Sequence, residues 1–253
     1  MFESRGDAFL ASVRPEVRAG GYPRDDSTVN FFLRVNALLE SEMTVVDLGA
    51  GRGTAMLGEH NFTKALYRLQ GKVRKVIGID IDDAIADHPY LDERHVVGIG
   101  EPYPLDSESV DLVVSDWVLE HVAGPQAFVR EVHRVLKPGG WFCARTPNRW
   151  GYVGIATNLV PNAKHQAMMT RVWPERSDVD IFPTVYRLNT KRALRRHFPD
   201  SQWENYSYFI NPPPKYHGNN SVLFALIGFV QQVAPSFMRT DLMVFMRKKP
   251  LGV

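Results

Sequence analysis

The chain has 253 residues, 44% of them hydrophobic, which is enough for one elaborated domain with a substantial core and an inserted cap. A formal net charge of +2 is too mild to indicate a nucleic-acid partner, and one cysteine cannot build a disulfide framework and suits a reducing cytosol. The first residues, Met1 to Asp7, lack the basic start and apolar core of a signal peptide, and no apolar run approaches the ~20 residues needed to span a bilayer, so a soluble cytoplasmic protein is expected.

In chain order, Asp25-Asp26-Ser27-Thr28 offers N-caps for a helix running to about Glu40, with Phe31, Phe32, Val35, Leu38 and Leu39 at helical intervals. Val45-Val46-Asp47-Leu48-Gly49-Ala50-Gly51-Arg52-Gly53 then reads as a β-branched strand turning sharply into a nucleotide-binding loop. Its order is D-x-G-x-G-x-G, not the G-x-G-x-x-G of a dinucleotide site, and an acid just before the loop would crowd a pyrophosphate seated on the following helix N-terminus. Thr54 to Gln70 is longer than a first crossover needs, so an extra turn is expected before Gly71. Lys75 to Asp80 is a second apolar strand ending in an acid, placed to accept both hydrogen bonds of a ribose diol. A third strand falls within His95 to Leu105.

Ser109 to Ser115 reads as a buried strand, followed by Asp116-Trp117-Val118-Leu119-Glu120-His121-Val122. Pro125 to Lys137 carries Phe128, Val129, Val132, Val135 and Leu136 at helical spacing, Pro138-Gly139-Gly140 stops it, and Trp141 to Thr146 forms the next strand with Cys143 as a buried apolar residue.

These segments, from Met43 to Asn148, resemble four ordered motifs of the class I S-adenosylmethionine-dependent methyltransferases of the small-molecule, type 11-like kind, and "RVLKPGGWFCARTPN" matches that family's fifth-strand region. S-adenosylmethionine suits the loop because it carries no phosphate and has an ammonium and a sulfonium. An NAD-dependent oxidoreductase is the rival class, since Asp80 lies about one βαβ unit after the loop; the glycine spacing and Asp47 argue against it. The resemblance implies an α/β fold, a Rossmann-like seven-stranded sheet that is mostly parallel with an antiparallel C-terminal hairpin and helices on both faces. It implies cofactor contacts at Asp47, Gly49, Ala50, Gly51, Gly53, Asp80, Ile81, Gly100, Glu101, Ser115 and Asp116, with no metal. Many relatives meet the adenine amino group with an Asp where this chain has Ile99, so that contact is assigned to backbone near Gly100 and Glu101.

The organisation expected is an N-terminal helical segment (1–42), a cofactor-binding core (43–148), an inserted substrate cap (149–188) and a C-terminal helix with closing strands (189–253). The insertion holds Tyr152, His165, Met168, Met169, Trp173, Tyr186 and Arg187, which form either an aromatic acceptor pocket or the cap's own small core. Asn189-Thr190 begins a helix whose Lys191, Arg192, Arg195 and Arg196 make a solvated face. Trp203 to Ile210 and Asp241 to Arg247 are the closing strands. Between them, Val222 to Val230 reads as a buried cap helix, with membrane-surface contact through 222–234 as the alternative.

The activity expected is methyl transfer to a small molecule or glycan, directed to a hydroxyl oxygen. N- or C-methylation of a natural product, quinone or lipid is the alternative, as is a catalytically silent cofactor-binding partner protein. A hydroxyl needs a base; His121, His165 and Asp116 are the candidates, with a helix N-terminal role as the alternative for Asp116.

Overall fold

The computed structural model describes residues 5–56, 62–159 and 183–250. An eight-stranded sheet forms its centre, in the order β3-β2-β1-β4-β5-β8-β6, with β7 also paired to β8. Strands β1 (Thr44–Leu48), β2 (Lys75–Asp80), β3 (Glu93–Val96), β4 (Val110–Asp116) and β5 (Leu136–Pro147) run parallel. Strand β8 (Asp241–Lys248) returns antiparallel against β5, and β6 (Trp203–Asn205) and β7 (Tyr208–Ile210) lie antiparallel on its other edge.

The expected seven strands and the observed eight differ by one interruption. β6 and β7 keep a single register against β8, from Trp203 opposite Lys248 to Ile210 opposite Asp241. At the break, the Phe245 N–H donates to Ser207 Oγ at 3.3 Å instead of to a backbone carbonyl, while the Tyr206 N–H still donates to Phe245 O at 2.9 Å.

Helices cover both faces because the buried strands offer apolar side chains to each side. One core joins Val46, Ile77, Val113, Phe142 and Val244 to α4 (Pro125–Val135) through Val129, Val132 and Val135. The other joins Val45, Val76, Leu112, Cys143 and Phe245 to α2 (Ser27–Leu38) through Val29, Phe31, Phe32 and Val35. Asp26 caps α2, accepting from the N–H groups of Thr28 and Val29 at 2.8 and 2.9 Å, and the helix stops at Leu38, short of Glu40. Cys143 is wholly buried, and burial raises its thiol pKa.

Helix α4 stops at Val135, short of the expected Lys137, because Leu136 already takes up extended backbone, and Pro138-Gly139-Gly140 lies inside β5 instead of preceding it. Between the Val110–Leu136 and Leu112–Trp141 pairs, β5 accommodates three residues more than β4, which is a bulge. A Cβ on Gly140 would lie 2.9 Å from the carbonyl oxygens of Asp111 and Lys137, so only glycine fits there.

Three more helices flank these elements: α1 (Arg5–Val13), α3 (Phe62–Tyr67) and α5 (Tyr152–Leu159). Thr190 caps α6 (Lys191–His197), which exposes Arg192, Arg195 and Arg196. The last helix, α7 (Ser221–Val233), departs from the expectation of a buried cap: only Phe224 and Gln231 are buried, while Val222, Leu226, Phe229 and Val233 face solvent. An apolar run reads alike in both settings, so periodicity could not distinguish them.

Candidate active site

The β1 loop bends through Gly49, Gly51 and Gly53 at φ +82°, +55° and +65°, conformations that cost glycine little and other residues much. Gly49 N–H donates to Ile79 O at 2.7 Å, tying the loop to β2. A Cβ on Gly49 would fall 2.2 Å from Val118 Cγ2, and one on Gly53 would fall 2.6 Å from the His88 ring, so both glycines are packed from behind. Gly51 differs, having no heavy atom within 4 Å of its Cβ position. Its N–H donates to Asp80 Oδ2 at 2.8 Å, and the Asp82 N–H donates to Oδ1 at 2.9 Å. Each carboxylate oxygen retains a lone pair, so Asp80 braces the loop and can still accept from a diol.

Asp47 is the penultimate residue of β1, beside this loop. Desolvation, then the charges of Asp116 and Asp80, push its carboxyl up to about 7. Another anion there would be opposed by three carboxylates, whereas a cation would relieve them. This charge set fits the ammonium and sulfonium of S-adenosylmethionine and disfavours a pyrophosphate.

On the other side of the sheet centre, Arg145 Nε and Nη2 donate to Asp116 Oδ1 and Oδ2, both at 2.7 Å. Arg145 is 2% exposed and also donates to the hydroxyls of Ser27 and Thr28 at the start of α2. Burial alone would lower its pKa, but the Asp116 charge and hydrogen bonds hold it above the ordinary value. Trp117 follows with φ +58°, a strained conformation for a bulky residue, and its ring lies 4.8 Å from the Arg145 guanidinium and 5.1 Å from Lys215 Nζ. The Lys215 N–H donates to Tyr152 Oη at 2.7 Å, and burial foremost pushes the Tyr152 phenol up to about 12.

Glu120 is buried, and desolvation foremost pushes its carboxyl up to about 7. Thr146 Oγ1 donates to Glu120 Oε2 at 2.8 Å, and Asn189 Nδ2 donates to Thr146 Oγ1 and Pro147 O. The Glu120 carbonyl accepts from the N–H groups of Val185 and Tyr186, so the returning end of the insertion is laid along the segment after β4. His121 Nδ1 is 3.0 Å from Pro183 O; a carbonyl can only accept, so Nδ1 donates its proton in this hydrogen bond.

The remaining expected residues divide. Ile81 and Ile99 are 46% and 82% exposed on the turns after paired strands β2 and β3. Gly100 and Glu101 are exposed, with the Glu101 carboxylate turned back to accept from Gly98 N–H at 3.0 Å. Ser115 is wholly buried with its hydroxyl unpartnered, facing the interior instead of the cleft. His165, Met168, Met169 and Trp173 lie outside the described residues. Arg145, Trp117, Glu120, Lys215 and Asp241 were not anticipated; the signal available was an arginine inside the otherwise apolar strand Trp141 to Thr146, which demands a buried partner.

Among the described residues, no group of three or more His, Cys, Asp or Glu is arranged to hold a metal ion. A groove of about 770 Å³ lies at the opposite end of the sheet, where Thr44, Lys75, Glu93 and Ser109 begin their strands or stand beside those starts. Its cations are engaged by the protein: Arg74 with Thr44, Lys75 with Glu93 and Arg134 with Glu131. In open parallel sheets ligands gather at the carboxyl ends, where Asp47, Asp80 and Asp116 stand.

Residues 46–144 match the family described as "Methyltransferase domain". A "probable S-adenosylmethionine-dependent methyltransferase" of Mycolicibacterium smegmatis is 46% identical over 81 residues, 30% of this chain and 31% of that protein. The mitochondrial ubiquinone biosynthesis O-methyltransferase of Rattus norvegicus is 32% identical over 117 residues, 43% of this chain and 32% of that one. The chain thus spans about a third of the length of these curated relatives. A solved chain from the complex between the Haloferax volcanii Trm112 methyltransferase activator and a methyltransferase superposes at TM-score 0.52 and 19% identity, over 98% of this chain and 96% of that chain. Motif order, sheet topology and sequence matches agree: residues 46–144 carry a methyltransferase domain, and the chain is similar there to S-adenosylmethionine-dependent methyltransferases.

Proposed function

We propose that this chain transfers the methyl group of S-adenosylmethionine to a hydroxyl oxygen of a small molecule. The observation that carries the cofactor assignment is the trio Asp47, Gly51 and Asp80: a high-pKa carboxyl, an open glycine and a braced acceptor around one loop. In this reading Asp47 holds the ammonium, Asp80 holds the ribose diol, and exposed Ile81 and Ile99 offer apolar faces to the purine. The bound cofactor supplies a sulfonium-activated methyl for in-line displacement, so the protein's main task is alignment at near-attack distance.

Asp116, held by Nε and Nη2 of Arg145, orients the acceptor. His121, with Nδ1–H on Pro183 O, takes the hydroxyl proton at Nε2. Oxygen as the acceptor atom is supported by the rat relative, which is named an O-methyltransferase. Phenolic quinone precursors are therefore the first acceptors to try.

The test is incubation with methyl-labelled S-adenosylmethionine and a panel of such phenols, followed by mass spectrometry and NMR of the products. A labelled methyl ether is expected. Label on carbon or nitrogen would overturn the choice of atom. Binding of NAD without binding of S-adenosylmethionine or S-adenosylhomocysteine would overturn the reading as a whole, and cofactor binding without transfer to any tested class of acceptor would favour a silent partner protein.

A further inference from the structure

Helix α7 presents an apolar face that nothing among the described residues covers. Val222, Leu226, Phe229 and Val233 recur at the spacing of one helical face and are 76%, 57%, 61% and 62% exposed. Phe237 continues the patch at 55% on the following turn, and Trp150 lies beside it at 52%. Asn148 ties the two together: its Nδ2 donates to the carbonyls of Phe237 and Arg239 at 2.7 Å, and its Oδ1 accepts from Trp150 N–H at 3.2 Å.

The exposure is built in. On the inward side, Gln231 Nε2 donates to Pro212 O and Thr240 Oγ1, and Asn211 Nδ2 donates to Gln231 O. These bonds fix the helix rotation with the apolar side outward. A contiguous exposed patch of this kind marks an interaction surface.

Charge selects the occupant. From Asn211 to Thr240 the chain has no Asp or Glu, while Arg239 follows the helix and Arg149 stands by Trp150, its guanidinium 6.0 Å from the indole. Two copies meeting face to face would bring these cations together without a compensating acid. An anionic lipid surface satisfies both features: acyl chains take the apolar face and headgroups take the cations. Thirteen helical residues extend only about 20 Å, short of the ~30 Å hydrocarbon core, so the helix would lie in the interface plane. We propose that α7, with Arg149, Trp150, Phe237 and Arg239, docks this chain on the surface of an anionic bilayer.

The test is co-sedimentation of the full chain with vesicles of phosphatidylcholine, alone or mixed equally with phosphatidylglycerol; neither cofactor nor acceptor is needed, so the outcome is separate from the proposed chemistry. Partition into the mixed vesicles, weakened by salt, is expected. The double variant Leu226→Gln/Phe229→Gln should lose roughly tenfold or more in partition. Arg149→Gln/Arg239→Gln should lose the preference for the anionic vesicles. Thermal unfolding and calorimetric cofactor binding, unchanged in all variants, would exclude misfolding. No sedimentation of the wild type, or equal partition of the double variant, overturns the proposal. So does a concentration-dependent dimer that the double variant abolishes while vesicles bind nothing, since the face would then belong to a second copy.

Discussion

Arg145 grips Asp116 with two parallel hydrogen bonds of 2.7 Å across the last register pair between β4 and β5. The pair fixes the carboxyl ends of both strands, and the Ser27 and Thr28 hydroxyls extend it to α2. Arg145→Met should cost about 3 to 5 kcal/mol, because Asp116 would lose its hydrogen-bonded cation and the buried Asp241 would keep only Lys215 as a balancing charge. Adding Asp116→Asn should recover part of the loss. Urea unfolding measures both, and a single variant as stable as wild type would show that the pair is dispensable.

The three loop glycines should fail in different ways. Gly49→Ala must displace Val118 and strain φ +82°, so it should lower the melting temperature. Gly51→Val meets open space, so beyond backbone strain its effect should fall on cofactor affinity through the blocked approach to the backbone. Parallel melting and calorimetric titration separate the two effects. Equal affinity in a folded Gly51→Val would mean that the cofactor does not approach this backbone.

Asp80→Ala should weaken cofactor binding by roughly 1.5 to 3 kcal/mol, the size of charge-assisted hydrogen bonds. Gly51 N–H and Asp82 N–H also lose their acceptor, so the loop should become less ordered. Amide exchange at Gly51 reports the second effect and calorimetry the first. Unaltered affinity would relocate the ribose.

Asp47 predicts opposite pH trends for stability and binding. Its folded pKa, about 7, stands above its ordinary 3.8, so its contribution to stability is fully present below about 3.8 and is lost as pH rises through 7. Glu120, also raised to about 7, adds to the same decline. A bound ammonium favours the ionised carboxylate, so cofactor affinity should rise from pH 5.5 toward 7 by up to about tenfold per unit, then level before the ligand's own amine titrates near 8. Asp47→Asn should flatten the rise. A persistent slope in that variant would assign it to another group.

The β1 strand, its glycine loop and Asp80 were legible because strand and turn chemistry are local: Val45 and Val46 set the strand, and glycines take the loop's three positive φ values at little cost. Helix α4 was legible through Val129, Val132 and Val135, all buried on one face. The Asp116–Arg145 pair was not, because its members are 29 residues apart and meet only once β4 and β5 pair in register. The Trp117 strain carries no sequence signal, since no glycine or asparagine marks it. The outward turn of α7 is decided by Gln231 and Asn211, polar residues whose partners lie in separate segments.

His121 offers the most direct test of the proposed chemistry. With Nδ1–H donating to Pro183 O, the ring is oriented and its basic nitrogen is Nε2. If Nε2 takes the acceptor's proton, His121→Ala should leave cofactor affinity nearly intact and cut turnover by the ~10² to 10⁴-fold that general base catalysis contributes. Activity of the wild type should rise with pH along an acidic limb, and that limb should vanish in the variant. Asp47, pushed up to about 7, also ionises as the pH rises, so turnover must be followed at saturating cofactor, where its effect on binding drops out. A purely orienting role would lower turnover while keeping the limb, because another group would then be titrating. Full activity in His121→Ala would remove it as the base, making His165→Ala and Asp116→Asn the next variants to measure.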